Sequence, residues 1–186
     1  MNVLETHIHE VKIIEPHIFG DGRGFFYETF QIQRYEELLG IQDTFVQDNL
    51  SRSRKGVLRG LHYQSQRPQG KLVSVFAGEV FDVAVDIRLG SPTYGSWVGV
   101  ILSGENRRQI WIPKGFAHGF YVLSATADFF YKCTDYYHPE SELSINYRDP
   151  ELAIDWPLTD DVQLSAKDIK ASPLSGIDSQ LLPRYR

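Results

Sequence analysis

Ten short β-rich runs separated by glycine- or proline-bearing turns restrict this chain more than any other feature. They fall at 11–15, 24–30, 44–51, 71–77, 80–87, 95–102, 109–112, 118–123, 127–134 and 143–147. Turn signals stand between them: Gly20-Asp21-Gly22, Gln69-Gly70, Gly78-Glu79, Gly90-Ser91-Pro92, Ser103-Gly104-Glu105-Asn106 and Pro113-Lys114-Gly115. Short strands recurring about every 8–12 residues point to an all-β sandwich or barrel, here of the jelly-roll kind. Only 31–39 reads as helical, with Tyr35, Leu38 and Leu39 as a short apolar face. The stretch 149–186 is richer in Pro, Ser and Asp, carries one helical turn near 165–170, and reads as a lid or packing arm. No linker, repeat or low-complexity tract interrupts the 186 residues, so one domain spanning 1–186 is expected, with short peripheral helices around the barrel.

Composition removes several classes of function. Hydrophobic residues at 42% and charged residues at 23% are ordinary for a folded protein. No apolar run approaches the ~18 residues that cross a bilayer, and the first residues lack the pattern of a secretory signal. A cytoplasmic protein without membrane contact is expected. The single Cys133 leaves no intrachain disulfide and no cysteine-based zinc site, and reads as a small buried hydrophobe. A net charge of −5 argues against nucleic acid as a partner, while a local basic pocket for one phosphorylated ligand remains compatible with it.

Six segments combine residue types that carbon-acid chemistry on a phosphorylated sugar needs. Arg59-Gly60-Leu61-His62-Tyr63-Gln64 offers His62 as a general base, because an imidazole exchanges protons near neutral pH. In a regular strand Arg59 points to the opposite face, and Gly60 leaves room for a ligand near the backbone. A lone histidine is also an ordinary hydrogen-bonded core or surface residue. Tyr131 and Tyr137 share parity along an aromatic strand, one suited to serve as acid and the other as a stacking plate, though alternating tyrosines also simply pack barrels. Lys71, after Gln69-Gly70, suits stabilisation of an enolate oxygen, or else is a solvated lysine at a strand start. Arg23-Gly24-Phe25-Phe26-Tyr27-Glu28 supplies a guanidinium for phosphate, as does Arg59, with Phe25 or Phe26 expected in the core. Gln47-Asp48-Asn49 supplies amides for sugar hydroxyls or a pyrimidine edge, and can equally be edge-strand polar residues. Asp168, in Leu164-Ser165-Ala166-Lys167-Asp168, is a candidate orienting partner for His62, or a helix-cap or surface acid.

Pro113-Lys114-Gly115-Phe116-Ala117-His118 matches the second metal motif of cupin barrels. The companion motif, a His-x-His pair followed by Glu, is missing, and His62 and His118 alone make a poor site for a divalent metal. No metal and no cofactor are expected, and His118 is assigned to ligand contact or to orienting a neighbour.

In order and spacing these segments, from Arg23 to Asp168, resemble the dTDP-4-dehydrorhamnose 3,5-epimerase family. The resemblance implies a cupin-type jelly-roll homodimer, a dTDP-4-keto-6-deoxyglucose substrate, and a role in forming dTDP-L-rhamnose. It implies His62 as base, Asp168 as its orienting partner, Tyr131 as acid and Lys71 as the lysine on the enolate. It further implies Arg23, Phe26 and Glu28 reaching the nucleotide from the same chain or its partner, with Gln47, Asn49, Arg59, His118, Glu142 and Lys167 as ligand contacts and Tyr137 stacked on thymine. Glu142 lies in the least distinctive stretch, Glu140-Ser141-Glu142. Three rivals stand beside this expectation: an epimerase acting on only C3 or C5 of a related sugar, a metal-dependent cupin, and a non-catalytic carbohydrate-binding barrel.

Overall fold

The computed structural model describes residues 1–159 and 162–185. In chain order its strands are β1 (Asn2–Glu5), β2 (Lys12–Glu15), β3 (Ile18–Asp21), β4 (Gly24–Tyr27), β5 (Gln47–Arg54), β6 (Leu58–Gln64), β7 (Lys71–Ala77), β8 (Glu79–Asp86), β9 (Trp97–Ser103), β10 (Gln109–Ile112), β11 (Phe116–Val122), β12 (Thr126–Cys133) and β13 (Glu142–Ser144). Two short helices, α1 (Ile32–Leu39) and α2 (Ala166–Ile169), lie outside them. A six-stranded sheet in the order β1-β2-β10-β7-β12-β5 faces a five-stranded sheet in the order β13-β6-β11-β8-β9. Every pairing between strands within the sheets is antiparallel, which makes the body a jelly roll.

The core between the sheets follows from period-two alternation. Val73 and Val75 of β7, Val80 and Ala84 of β8, Ile110 and Ile112 of β10, and Phe129 of β12 join one buried cluster. Phe120 and Phe129, from opposite sheets, stack with ring centroids 3.8 Å apart. A second cluster covers the outer face of the five-stranded sheet, where Tyr147, together with Leu152, Trp156, Leu174 and Leu182 of the C-terminal stretch, meets Leu61, Val83, Val85 and Tyr121. β11 is therefore covered on both faces, and all seven of its residues are buried.

Helix α1 covers the outer face of the other sheet. Gln31 caps it by accepting from the Arg34 amide at 2.6 Å, and Gly40 at φ 66° ends it. Tyr35 is buried and donates its hydroxyl to Gln109 at 2.6 Å. Leu38, assigned to the apolar face by periodicity, is exposed, because a helix this short lays little more than one turn on the sheet.

Departures from the sequence reading have local causes. β1 and β3 are almost wholly exposed and carry no apolar alternation, and β6 is broken by Arg59 and Gly60. The run at 24–30 stops at Tyr27 as the chain turns toward α1. Phe25 and Phe26 are not core: β3 and β4 form a separate two-stranded hairpin, and the two rings are 59% and 68% exposed.

Candidate active site

Between the two sheets lies a cavity of about 950 Å³. The six-stranded sheet contributes Gln47, Asn49, Lys71 and Tyr131 to its wall, and the five-stranded sheet contributes Arg59, His62, His118 and Glu142. Tyr137, Lys167 and Asp168 reach it from the loop after β12 and from α2. Eleven of the fifteen residues singled out by sequence thus share one space. Register explains the first wall: Tyr131 pairs with Val73 and Asn49, and Cys133 with Lys71 and Gln47. Directly paired residues project from the same face.

The second wall depends on an irregularity. His118 pairs with His62 and Phe120 with Arg59, so three steps of β6 run against two of β11. This bulge brings Arg59 to the same face as His62, against the expectation for a regular strand. Gly60 sits at φ 122°, and a Cβ there would lie 2.5 Å from the Gly119 Cα. Its missing side chain admits the neighbouring strand and leaves no added room for a ligand.

His62 Nε2 donates to Asp168 Oδ1 at 2.6 Å. Asp168 is 3% exposed, and its other oxygen accepts from the Ser165 hydroxyl at 2.8 Å. Ser165 also caps α2, receiving the Asp168 amide at 3.1 Å. Burial alone raises the Asp168 pKa, but the bonds from His62 and Ser165 hold its carboxyl below the usual range, so it stays anionic. A proton fixed on Nε2 leaves the lone pair of Nδ1 free. Nδ1 lies 4.0 Å from Glu142 Oε1. Glu142 Oε2 accepts from the Tyr137 hydroxyl at 2.9 Å and from Lys167 Nζ at 2.7 Å.

Across the cavity, burial pushes the Tyr131 phenol up to about 12, aided by the nearby Cys133 and Glu142. The Lys71 ammonium lies 6.0 Å from the Tyr131 ring centroid. Burial lowers its pKa, while Cys133, Glu142 and Asp82 oppose that shift. Cys133 itself is fully buried and accepts from Asn49 Nδ2 at 3.6 Å. Tyr137 arrives by a loop, since β12 ends at Cys133, and its amide donates to Gln47 Oε1 at 2.9 Å.

A second pair was missed from sequence. His118 Nε2 bonds Asp82 Oδ2 at 2.9 Å, and Asp82 is completely buried with no partner on Oδ1. Burial drives the His118 pKa down, partly offset by Asp82. A signal was present: Asp82 alternates with the inward Val80 and Ala84 of β8, and a carboxylate in an apolar row needs a partner. Among the described residues no group of three or more metal-ligating side chains converges. No helix is long and apolar enough to cross a membrane among them.

Four of the residues lie elsewhere. Asp48, between Gln47 and Asn49, points to the opposite face of β5 by simple alternation and receives Lys132 Nζ at 2.8 Å. Arg23, Phe26 and Glu28 belong to the β3–β4 hairpin and its exit. Arg23 is paired with Asp21 at 2.6 Å, Glu28 with Arg34, and Phe26 is exposed.

Four similarities accompany this geometry. A sequence profile described as dTDP-4-dehydrorhamnose 3,5-epimerase matches residues 5–176. A protein of that name from Salmonella typhimurium is 57% identical over 183 residues, 98% of each chain. The crystal structure of a Legionella pneumophila dTDP-6-deoxy-D-glucose-3,5-epimerase in complex with dTDP-4-keto-L-rhamnose superposes with TM-score 0.99 at 77% identity, covering 100% of this chain and 98% of that one. A 4-keto-6-deoxy sugar epimerase from the novobiocin cluster of Streptomyces spheroides superposes with TM-score 0.94 at 40% identity, covering 100% and 94%.

Proposed function

Since the chain belongs to the dTDP-4-dehydrorhamnose 3,5-epimerase family, we propose that it inverts C3 and C5 of dTDP-4-dehydro-6-deoxy-D-glucose through an enolate, on the way to dTDP-L-rhamnose. The C4 ketone acidifies both neighbouring hydrogens. His62 Nδ1 takes one of them, and Asp168 stabilises the imidazolium that forms. Lys71 neutralises the developing enolate oxygen. Tyr131 returns a proton from the other face of the ring. One observation carries this assignment: His62, with Nε2 held by Asp168, and the Tyr131–Lys71 pair stand on opposite sheets of one cavity. Inversion needs donor and acceptor on opposite sides of the carbon, and two facing sheets supply that.

Gln47, Asn49, Arg59, His118, Glu142 and Lys167 serve as ligand contacts in this scheme, Arg59 and Lys167 suiting the diphosphate, and Tyr137 stacks on the base. Arg23, Phe26 and Glu28 do not reach the cavity of their own chain, so we assign them to the site of a homodimer partner, whose docking also covers the exposed hairpin rings. The stretch 149–186 acts as the arm that delivers Asp168 and Lys167. Asp48 is left out of the site.

Proton NMR of the substrate incubated in deuterated water tests the whole scheme. Exchange at both C3 and C5 by wild type, abolished in His62→Ala with dTDP binding retained, is the expected result. Exchange at one carbon alone indicates a single epimerase, and exchange surviving in His62→Ala removes the base assignment.

A further inference from the structure

Two inversions on one ring require the acid and the base to be reset between them. On the scheme above, the first inversion leaves His62 as imidazolium and Tyr131 as phenolate, each in the wrong state for the second. One proton must cross from the five-stranded sheet to the six-stranded sheet before His62 can act again.

Glu142 stands on that path. Its Oε1 is 4.0 Å from His62 Nδ1, the ring atom that Asp168 does not hold. Its Oε2 accepts the Tyr137 hydroxyl at 2.9 Å. Tyr137 also reaches the six-stranded sheet, its amide donating to Gln47 Oε1 at 2.9 Å, and it lines the same cavity as Glu142 and Tyr131. The two other carboxylates beside the site histidines are committed, Asp168 to His62 Nε2 and Ser165, Asp82 to His118.

We propose that Glu142, relayed through the Tyr137 hydroxyl, carries the proton from the His62 imidazolium back to the Tyr131 phenolate between the two inversions, an inference that rests on the roles given to His62 and Tyr131. The proton leaves Nδ1 for Oε1, the 4.0 Å gap closing by rotation of the Glu142 side chain or through one bridging water. The Tyr137 hydroxyl turns from Oε2 to give its proton to the Tyr131 oxygen, and the carboxyl rotates so that its own proton passes to the Tyr137 oxygen. His62 ends neutral and Tyr131 protonated, while Glu142 and Tyr137 return to their starting states with no net charge gained. Glu142 acts through His62 and Tyr131 and touches no reacting carbon.

The gradient favours this direction. Tyr131 is a phenol raised to about 12, whose anion draws protons strongly. Burial alone raises the Glu142 pKa, but Lys167, Tyr137 and His62 hold it below the usual carboxylate range, so once protonated the carboxyl passes its proton on. Tyr137 is 51% exposed, which opens the relay to solvent and lets deuterium enter during the reset.

The test compares wild type, Glu142→Gln and Tyr137→Phe by rapid-quench NMR with dTDP-4-keto-6-deoxyglucose in deuterated water, following deuterium at the first and the second ring carbon separately. The expected result is a fall of roughly tenfold or more, about 1.4 kcal/mol, in the ratio of second to first exchange rate in Glu142→Gln, with the singly inverted sugar accumulating. Tyr137→Phe, which keeps the ring, shows the same change in smaller degree. Equal slowing at both carbons, or a rise in KM with the ratio unchanged, overturns the relay and leaves Glu142 as a ligand contact. Should Glu142→Gln fail to fold, the ratio in Tyr137→Phe decides alone. Absence of any exchange by wild type, or normal exchange in His62→Ala, instead overturns the underlying base and acid roles, and the relay with them.

Discussion

Replacing Asp168 by Asn removes one negative charge from beside His62 and changes little else. The Ser165 hydroxyl, which now donates to Asp168 Oδ2 at 2.8 Å, can turn and accept from the new amide. Oδ1 then still accepts His62 Nε2–H at 2.6 Å, so ring orientation and tautomer persist. What is lost is attraction between the carboxylate and the imidazolium that forms as carbon gives up its proton. For charge centres roughly 4 Å apart at an effective dielectric constant of about 20, that attraction is about 4 kcal/mol. A half-transferred proton feels about half of it. At 1.36 kcal/mol per tenfold, kcat falls between about 30-fold and about 10³-fold. The assay is single-turnover loss of the C3 and C5 proton signals in deuterated water, with dTDP affinity measured by calorimetry on the same samples. A kcat within about threefold of wild type rules out this electrostatic role for Asp168, as does a loss of dTDP affinity that accounts for the whole effect.

Other outcomes follow from the same structure. Lys71→Met removes the cation assigned to the enolate and lowers kcat by about 10²–10³ in the exchange assay, with dTDP affinity largely kept. Gly60→Ala forces a Cβ to 2.5 Å from the Gly119 Cα at a φ of 122°, and urea unfolding should show a loss of at least about 3 kcal/mol. Phe129→Ala empties the ring stacked on Phe120 and costs about 3–5 kcal/mol in the same measurement. Burial alone raises the pKa of Asp86, but bonds from Arg88, Ser91 and Thr93 bring it below its ordinary value. A depressed folded pKa adds stability above the unfolded value near 3.9, lost as pH falls through the folded one. The urea midpoint of wild type should therefore drop below about pH 4, while Asp86→Asn shows less of this acid dependence and is weaker at neutral pH by about 3 kcal/mol, because buried Arg88 keeps only Glu10.

Strands 71–77 and 109–112 were legible residue for residue, because alternation of apolar side chains and flanking turns both mark them. The helix read at 31–39 differs from α1 only at Gln31, which the structure makes its cap. β6 was not legible, because its register depends on β11: the bulge that turns Arg59 into the cavity exists only where Gly60 meets the Gly119 backbone. Asp48 went astray for the opposite reason. Gln47-Asp48-Asn49 is one polar run in the sequence, and strict alternation divides it between two faces.

The chemical types in the site were determined by sequence alone. Lys71 and Tyr131 stand on strands whose alternation dictates which side chains turn inward, and His62 stands in the Arg59–Gln64 segment. Their partners were not. The chain holds 24 acidic residues, and the one on His62 is 106 positions away, on an arm anchored by Trp156, Leu174 and Leu182 against the outer face of the sheet. Asp82 reaches His118 only because β8 and β11 pair in one register. Apolar alternation is a local property of the chain and survives without the fold. A hydrogen bond of 2.6 Å between distant segments is set by how whole layers settle against one another, and that belongs to tertiary structure.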